Sequence, residues 1–227
     1  MKKWGFPIVR YNNFEKDTES EDVNSSNISR KLVVFLHGMG SDGYDLIALS
    51  DYFKDIGDDV ICISPHAKEK FDMMPYGYQW FSIKGKDHGE IVKRAEVAIN
   101  DLESDIINVF QKDFNLTNAD TILVGFSQGA MMASMMSLNN KTSKSYFAAI
   151  CFCGRLAYRG EIDDFGTKFC LIHGKDDEII EYSETVKMAE FLNKNNISNE
   201  YHIIENLKHS IDLKSLEYSV NFIKTLK

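Results

Sequence analysis

Ser127 sits at the centre of Gly125-Phe126-Ser127-Gln128-Gly129. A serine with glycines two positions away on either side suits a sharp turn that lifts a hydroxyl clear of its surroundings, because the glycines remove side chains that would collide there. Such a hydroxyl attacks an acyl carbonyl once a base removes its proton and an acid orients that base. The five-residue pattern alone is weak, since a glycine turn that merely packs tightly would also carry it. Its context is more specific. An apolar run from Thr121 to Val124 leads into the turn, and helix formers follow from Ala130. The N–H groups opening such a helix point at developing negative charge.

The elements that must position this turn alternate between two periods. Continuous apolar runs at 31–36, 60–64, 121–125, 147–152 and 169–172 read as strands covered on both faces. Residues 6–14 suggest an edge strand, and the alternation at 200–205 a further strand. Ile91, Ala95, Ala98, Leu102, Ile106 and Val109 step by three or four residues and predict one long amphipathic helix. Further helices are predicted at 130–138, 183–193 and 213–226. Strand and helix in alternation imply an α/β fold: a mostly parallel central sheet with helices on both faces. Residues 16–30, rich in Ser, Asn, Asp and Glu, read as an exposed polar loop. With no internal repeat and no second core, the chain reads as a single domain, 1–227. A buried strand, a nucleophile turn and a helix in this order are the α/β-hydrolase arrangement.

In that fold the partners of the serine follow it, acid first and histidine last. His37, His66 and His88 precede Ser127 and are eliminated as the base. His173 follows a strand directly, with too little room for an acid loop before it, and His202 occupies a strand position. His209, in the loop between the last strand and the last helix, is the candidate base. The acid is expected after the strand ending at Ile172, where Asp176, Asp177 and Glu178 stand together; charge alone does not choose among them. Two backbone N–H donors are needed for the oxyanion. One is expected at Gln128, the residue after the nucleophile, and one at Met39 in the loop Leu36-His37-Gly38-Met39-Gly40. His37 is expected to hold that loop rather than to do chemistry.

These pieces together resemble the carboxylesterase and acyl-protein thioesterase family, which includes small bacterial esterases and lysophospholipase-like members. The similar segments are Phe35-Leu36-His37-Gly38-Met39-Gly40, Ser64-Pro65-His66-Ala67, Gly125-Phe126-Ser127-Gln128-Gly129-Ala130, His173-Gly174-x-x-Asp177 and Lys208-His209-Ser210, in the family's order. The resemblance implies Asp177 as the acid, the third residue after His-Gly. The proline that usually follows that acid is replaced here by Glu178. It also implies that the aromatic stretch from Met74 to Phe81 lines the substrate cleft, with Trp80 and Phe81 as an apolar, substrate-binding wall. No large lid domain is implied.

The bulk numbers narrow the class further. A formal charge of −8 argues against a nucleic-acid surface and gives no general attraction to anionic membranes. Residues 4–10 are too short and broken for the apolar core of a signal peptide, and no apolar run reaches transmembrane length. Cys62, Cys151, Cys153 and Cys170 all lie in apolar strand-like runs and read as buried free thiols, which suits a cytoplasmic protein. Cys151-x-Cys153 lacks a second ligand pair at zinc-like spacing, so no metal site is expected. The expected activity is that of a serine carboxylesterase hydrolysing esters or thioesters without metal or organic cofactor. Long-chain acyl-protein thioesterase or lysophospholipase action is the alternative, with S-acylated protein or lysophospholipid as substrate. A non-catalytic binding protein on the same fold is the remote one. A homodimer is an assembly open to such a chain.

Overall fold

The apolar runs become the strands of one sheet. The computed structural model describes residues 8–12, 29–85, 87–139, 145–157, 162 and 166–226. In chain order they form β1 (Ile8–Asn12), β2 (Arg30–Leu36), α1 (Gly43–Ile47), β3 (Asp59–Ser64), β4 (Glu69–Lys70), β5 (Tyr78–Gln79), α2 (His88–Leu102), α3 (Asn108–Asp113), β6 (Thr121–Phe126), α4 (Gln128–Leu138), β7 (Ala148–Phe152), β8 (Lys168–Gly174), α5 (Ser183–Lys194), β9 (Asn199–Ile204) and α6 (Leu213–Thr225). Short 3₁₀ turns and one π turn complete them. Most of the loop expected at 16–30 lies outside the described residues; Arg30 opens β2.

Seven strands pair in the order β1-β3-β2-β6-β7-β8-β9, with β1 antiparallel to β3 and every other pairing parallel. β1 is thus the edge strand anticipated from residues 6–14. Alternate residues of each strand enter opposite cores, as the two-residue period requires. Leu32, Val34, Leu36 and Leu123 pack with α2, α4 and α5 on one face. Val33, Phe35, Ile122 and Val124 pack with α1 and α6 on the other. Helices on both faces follow from strands that are apolar on both.

Three local features depart from the sequence pattern. The long helix predicted through Val109 is interrupted by a π turn at Glu103–Ile107, which divides α2 from α3. The small ribbon β4–β5 leaves too short a pattern to be read in advance. All eleven residues of α4 are buried, so this helix has no polar face to reveal its orientation.

The chain runs from β2 outward to β3, then returns to β6 on the other side of β2. Strand order therefore reverses between β2 and β6. The loops leaving their carboxyl ends diverge to opposite faces and open a crevice there, where ligands bind in such sheets.

Candidate active site

The loop after β2 carries Met39, and the turn after β6 carries Ser127. Ser127 has φ +53° and ψ −113°, a region rarely occupied by residues with side chains. Its N–H donates to Phe152 O at 2.9 Å, and its carbonyl accepts from Ala130 N–H at 3.0 Å, so both sides of the turn are held. Close packing explains the flanking glycines. A Cβ on Gly129 would lie 1.9 Å from Leu36 O, and one on Gly125 would lie 2.2 Å from Gly129 O. Helix α4 can therefore start directly against the β2 loop.

That closeness brings the loop carrying Met39 alongside the turn that precedes Gln128. A Cβ built on Gly38 would meet the Ser127 Cβ at 3.5 Å, so the β2 loop borders the candidate nucleophile. Gln128 is the first residue of α4, and its N–H has no carbonyl within its own helix to bond. In the β2 loop, Gly40 N–H donates to Tyr78 O and Ser41 N–H to Gly38 O. Met39 N–H has no backbone acceptor among the described residues.

The candidate base and acid arrive from the other half of the sheet. His209 lies in the β9–α6 loop, and its ring centroid is 4.8 Å from that of Phe126, the residue before Ser127. His209 Nδ1 is 2.6 Å from Asp177 Oδ2. Of the three carboxylates after β8, Asp176 and Glu178 are exposed and Asp177 is buried against the histidine. Burial opposes ionisation of Asp177. The N–H groups of Ile180 and Ile179 on Oδ1, with the His209 ring on Oδ2, outweigh it and hold the carboxyl below its ordinary range. Gly174 lets the two loops meet: a Cβ there would lie 2.2 Å from Leu207 O and 2.4 Å from Lys208 O.

His37 supports the β2 loop in the manner anticipated. Its Nδ1 donates to Gly38 O at 2.7 Å and its Nε2 accepts from Ala67 N–H at 3.1 Å, which sets a neutral tautomer. Full burial pushes its pKa down to about 4. Trp80 and Phe81, expected to wall the cleft, are only 2% and 1% exposed. In this conformation they present no open wall to a substrate. They instead tie the β2 loop to the start of α4. Trp80 Nε1–H donates to His37 O at 2.8 Å, Trp80 N–H to Gln128 Oε1 at 2.9 Å, and Gln128 Nε2 to Phe81 O at 2.7 Å. These pairings span more than 40 residues of chain, which no local pattern reveals. The surface open beside His209 is instead a cleft of about 290 Å³ lined by Asp45, Leu46, Leu49, Phe126, Ser210 and Ile211.

His173, not expected to serve as the base, has its ring fully buried against Asp177, with Nε2 at 3.0 Å from Oδ2. The available signal was the His-Gly-x-x-Asp spacing itself, which places the ring beside the acid. Metal-type donors approach within 4.8 Å of one another in two clusters among the described residues, Cys153 with His173 and Asp177, and Cys170 with Glu200 and His202. In the first, Asp177 and His173 are already engaged with each other, and burial pushes the Cys153 thiol up to about 12. Cys151 points elsewhere, to Ala130 O, and also lies near 12. All four cysteines are free. No described helix is long and apolar enough to cross a membrane.

Comparison with known proteins agrees with this fold. Esterase YpfH of Escherichia coli (strain K12) is 27% identical over 198 residues, covering 86% of this chain and 83% of the esterase. The crystal structure of esterase PE8 superimposes with a TM-score of 0.77 at 32% identity, covering 87% of this chain and 93% of that one. The Bacillus cereus carboxylesterase shares the fold at 15% identity, with a TM-score of 0.72 over 98% of this chain and 95% of that one. The family model described as Phospholipase/Carboxylesterase matches residues 19–227. The chain belongs to the phospholipase/carboxylesterase family, a family of α/β-fold hydrolases.

Proposed function

We propose that this chain is one catalytic domain, a serine carboxylesterase acting through an acyl-enzyme on Ser127. The observation that carries the proposal is the contact between His209 Nδ1 and Asp177 Oδ2 at 2.6 Å, beside a serine held at φ +53°. With Nδ1–H bonded to the acid, the lone pair on Nε2 is the one free to take a proton. His209 removes the Ser127 proton as Oγ attacks the acyl carbonyl, and Asp177 orients the ring and stabilises its cationic form. The N–H groups of Met39 and Gln128 hold the oxyanion. His209 then protonates the departing alkoxide or thiolate, and a water activated by the same ring cleaves the acyl-enzyme.

The cleft beside His209 supports small-molecule esters as substrates. Its walls are mainly Leu46, Leu49, Phe126 and Ile211, and its volume of about 290 Å³ suits a compact group better than a long acyl chain. Four buried free thiols fit a reducing compartment such as the cytoplasm. The test is turnover of nitrophenyl esters of increasing acyl length alongside acyl-thioesters and lysophospholipids. Short esters should be preferred, and Ser127→Ala should abolish hydrolysis while leaving the fold intact. Turnover retained in that variant would overturn the mechanism, and preference for long acyl chains would favour the thioesterase or lysophospholipase alternative.

A further inference from the structure

The mechanism uses one histidine, but two share its carboxylate. Asp177 Oδ2 lies 2.6 Å from His209 Nδ1 and 3.0 Å from His173 Nε2, while Oδ1 accepts from the N–H groups of Ile179 and Ile180. We infer that His173 is a positioning residue for the acid, a neutral imidazole that donates Nε2–H to Asp177 and fixes the carboxylate against His209. The inference rests on the triad proposed above.

The hydrogen-bond partners settle the tautomer. Nε2 of His173 faces two acceptors, Asp177 Oδ2 at 3.0 Å and Ile180 O at 2.8 Å, so it carries a hydrogen. Nδ1 lies 2.7 Å from Thr185 Oγ1 on α5, and a threonine hydroxyl donates readily to an imidazole lone pair. Burial favours the uncharged ring and lowers its pKa. The result is a directed chain, Thr185 O–H to His173, His173 N–H to Asp177, and Asp177 accepting from His209. It links α5, the end of β8 and the β9–α6 loop. The other titratable group facing this cluster is the Cys153 thiol at the end of β7.

The geometry gives His173 a role that packing alone would not. A carboxylate oxygen bonded to one rigid donor, opposite an Oδ1 held by two backbone donors, cannot rotate as His209 gains and loses charge. Removing the donor leaves Oδ2 held by His209 alone and weakens orientation of the base in the transition state. A hydrogen bond to a charged group is worth roughly tenfold to a hundredfold in an equilibrium.

The test compares purified full-length His173→Leu, His173→Gln and Thr185→Val with the parent on a short nitrophenyl ester, with folding checked by circular dichroism. Gln keeps a donor near the position of Nε2, whereas Leu keeps none. Thr185→Val removes only the hydroxyl and serves as the gentler variant if His173→Leu does not fold. Expected are a kcat loss of about tenfold or more for His173→Leu with KM within about twofold, recovery of most of it in His173→Gln, and a smaller kcat loss in Thr185→Val. A folded His173→Leu with the parent's kcat would overturn the inference, as would a His173→Gln no better than Leu; if neither folds, an unchanged kcat in Thr185→Val does so. Failure of the parent itself to turn over any ester would instead strike the triad.

Discussion

Gly174 offers a sharp test because its substitution acts on the candidate base without touching it. A Cβ at this position would stand 2.2 Å from Leu207 O and 2.4 Å from Lys208 O. Both are backbone atoms of the residues immediately before His209, so no side-chain rotation relieves the overlap. Ordinary contact requires the loop to retreat by about 1 Å. The loop is also clamped, because Asp176 N–H donates to Leu207 O at 2.9 Å and Lys175 N–H to Ile204 O at 2.8 Å. Retreat therefore stretches the first of these bonds and drags His209 away from Asp177 and Ser127. Misplacing a catalytic group by 1 Å costs on the order of 10²-fold in rate. Gly174→Ala should thus lose about 10²-fold in kcat/KM on a short ester and about 1–3 kcal/mol of stability to urea. Steady-state kinetics and an unfolding curve on the same sample measure both. A folded Gly174→Ala within twofold of the parent's activity would refute the argument that this glycine sets the distance between acid loop and base loop.

Other consequences follow from the same structure. The positive φ at Ser127 predicts that Ser127→Gly is more stable than Ser127→Ala by about 1 kcal/mol, strain relief outweighing glycine's entropy; equal urea midpoints would show the turn is relaxed. Trp80→Phe strips the donor from His37 O and should cost about 1–3 kcal/mol while lowering kcat more than it raises KM; unchanged stability would contradict it. His37 has a folded pKa of about 4 against 6.5 unfolded, so its contribution is complete above pH 6.5 and is lost as pH falls toward 4. The loss reaches about 3 kcal/mol at the foot of that window, and His173, also lowered by burial, adds in the same direction. Urea unfolding at pH 7.5 and pH 4.5 should show it, with a shallower slope in His37→Gln; parallel slopes would rule His37 out as the source.

Much of the fold was legible because buried parallel strands are apolar throughout, and five such runs are conspicuous. The loops that carry Ser127, Asp177 and His209 were legible for the same reason: once the strands are placed, so are the loops that follow them. What escaped depends on contacts distant in sequence. Nothing local to Gln128 shows that its amide bridges the backbone at Trp80 and Phe81, or that both rings turn inward. His173 was dismissed by chain order, which addresses the candidate base but is silent on the ring's contact with Asp177. The π turn after Leu102 keeps an apolar pattern so close to helical spacing that Ile106 still reads as part of α2. Among Asp176, Asp177 and Glu178, the charge pattern was silent, and inward rotation with two backbone donors distinguishes Asp177.

Activation of Ser127 by His209 and the oxyanion donors is tested most directly by covalent labelling. A fluorophosphonate reacts with a serine only when that serine is activated by its base and its oxyanion donors, so intact-protein and peptide mass spectrometry read the whole constellation at once. A single adduct is expected on the peptide containing Ser127, absent in Ser127→Ala and slowed strongly in His209→Ala. A folded parent that remains unmodified, or an adduct on any other residue, would contradict it.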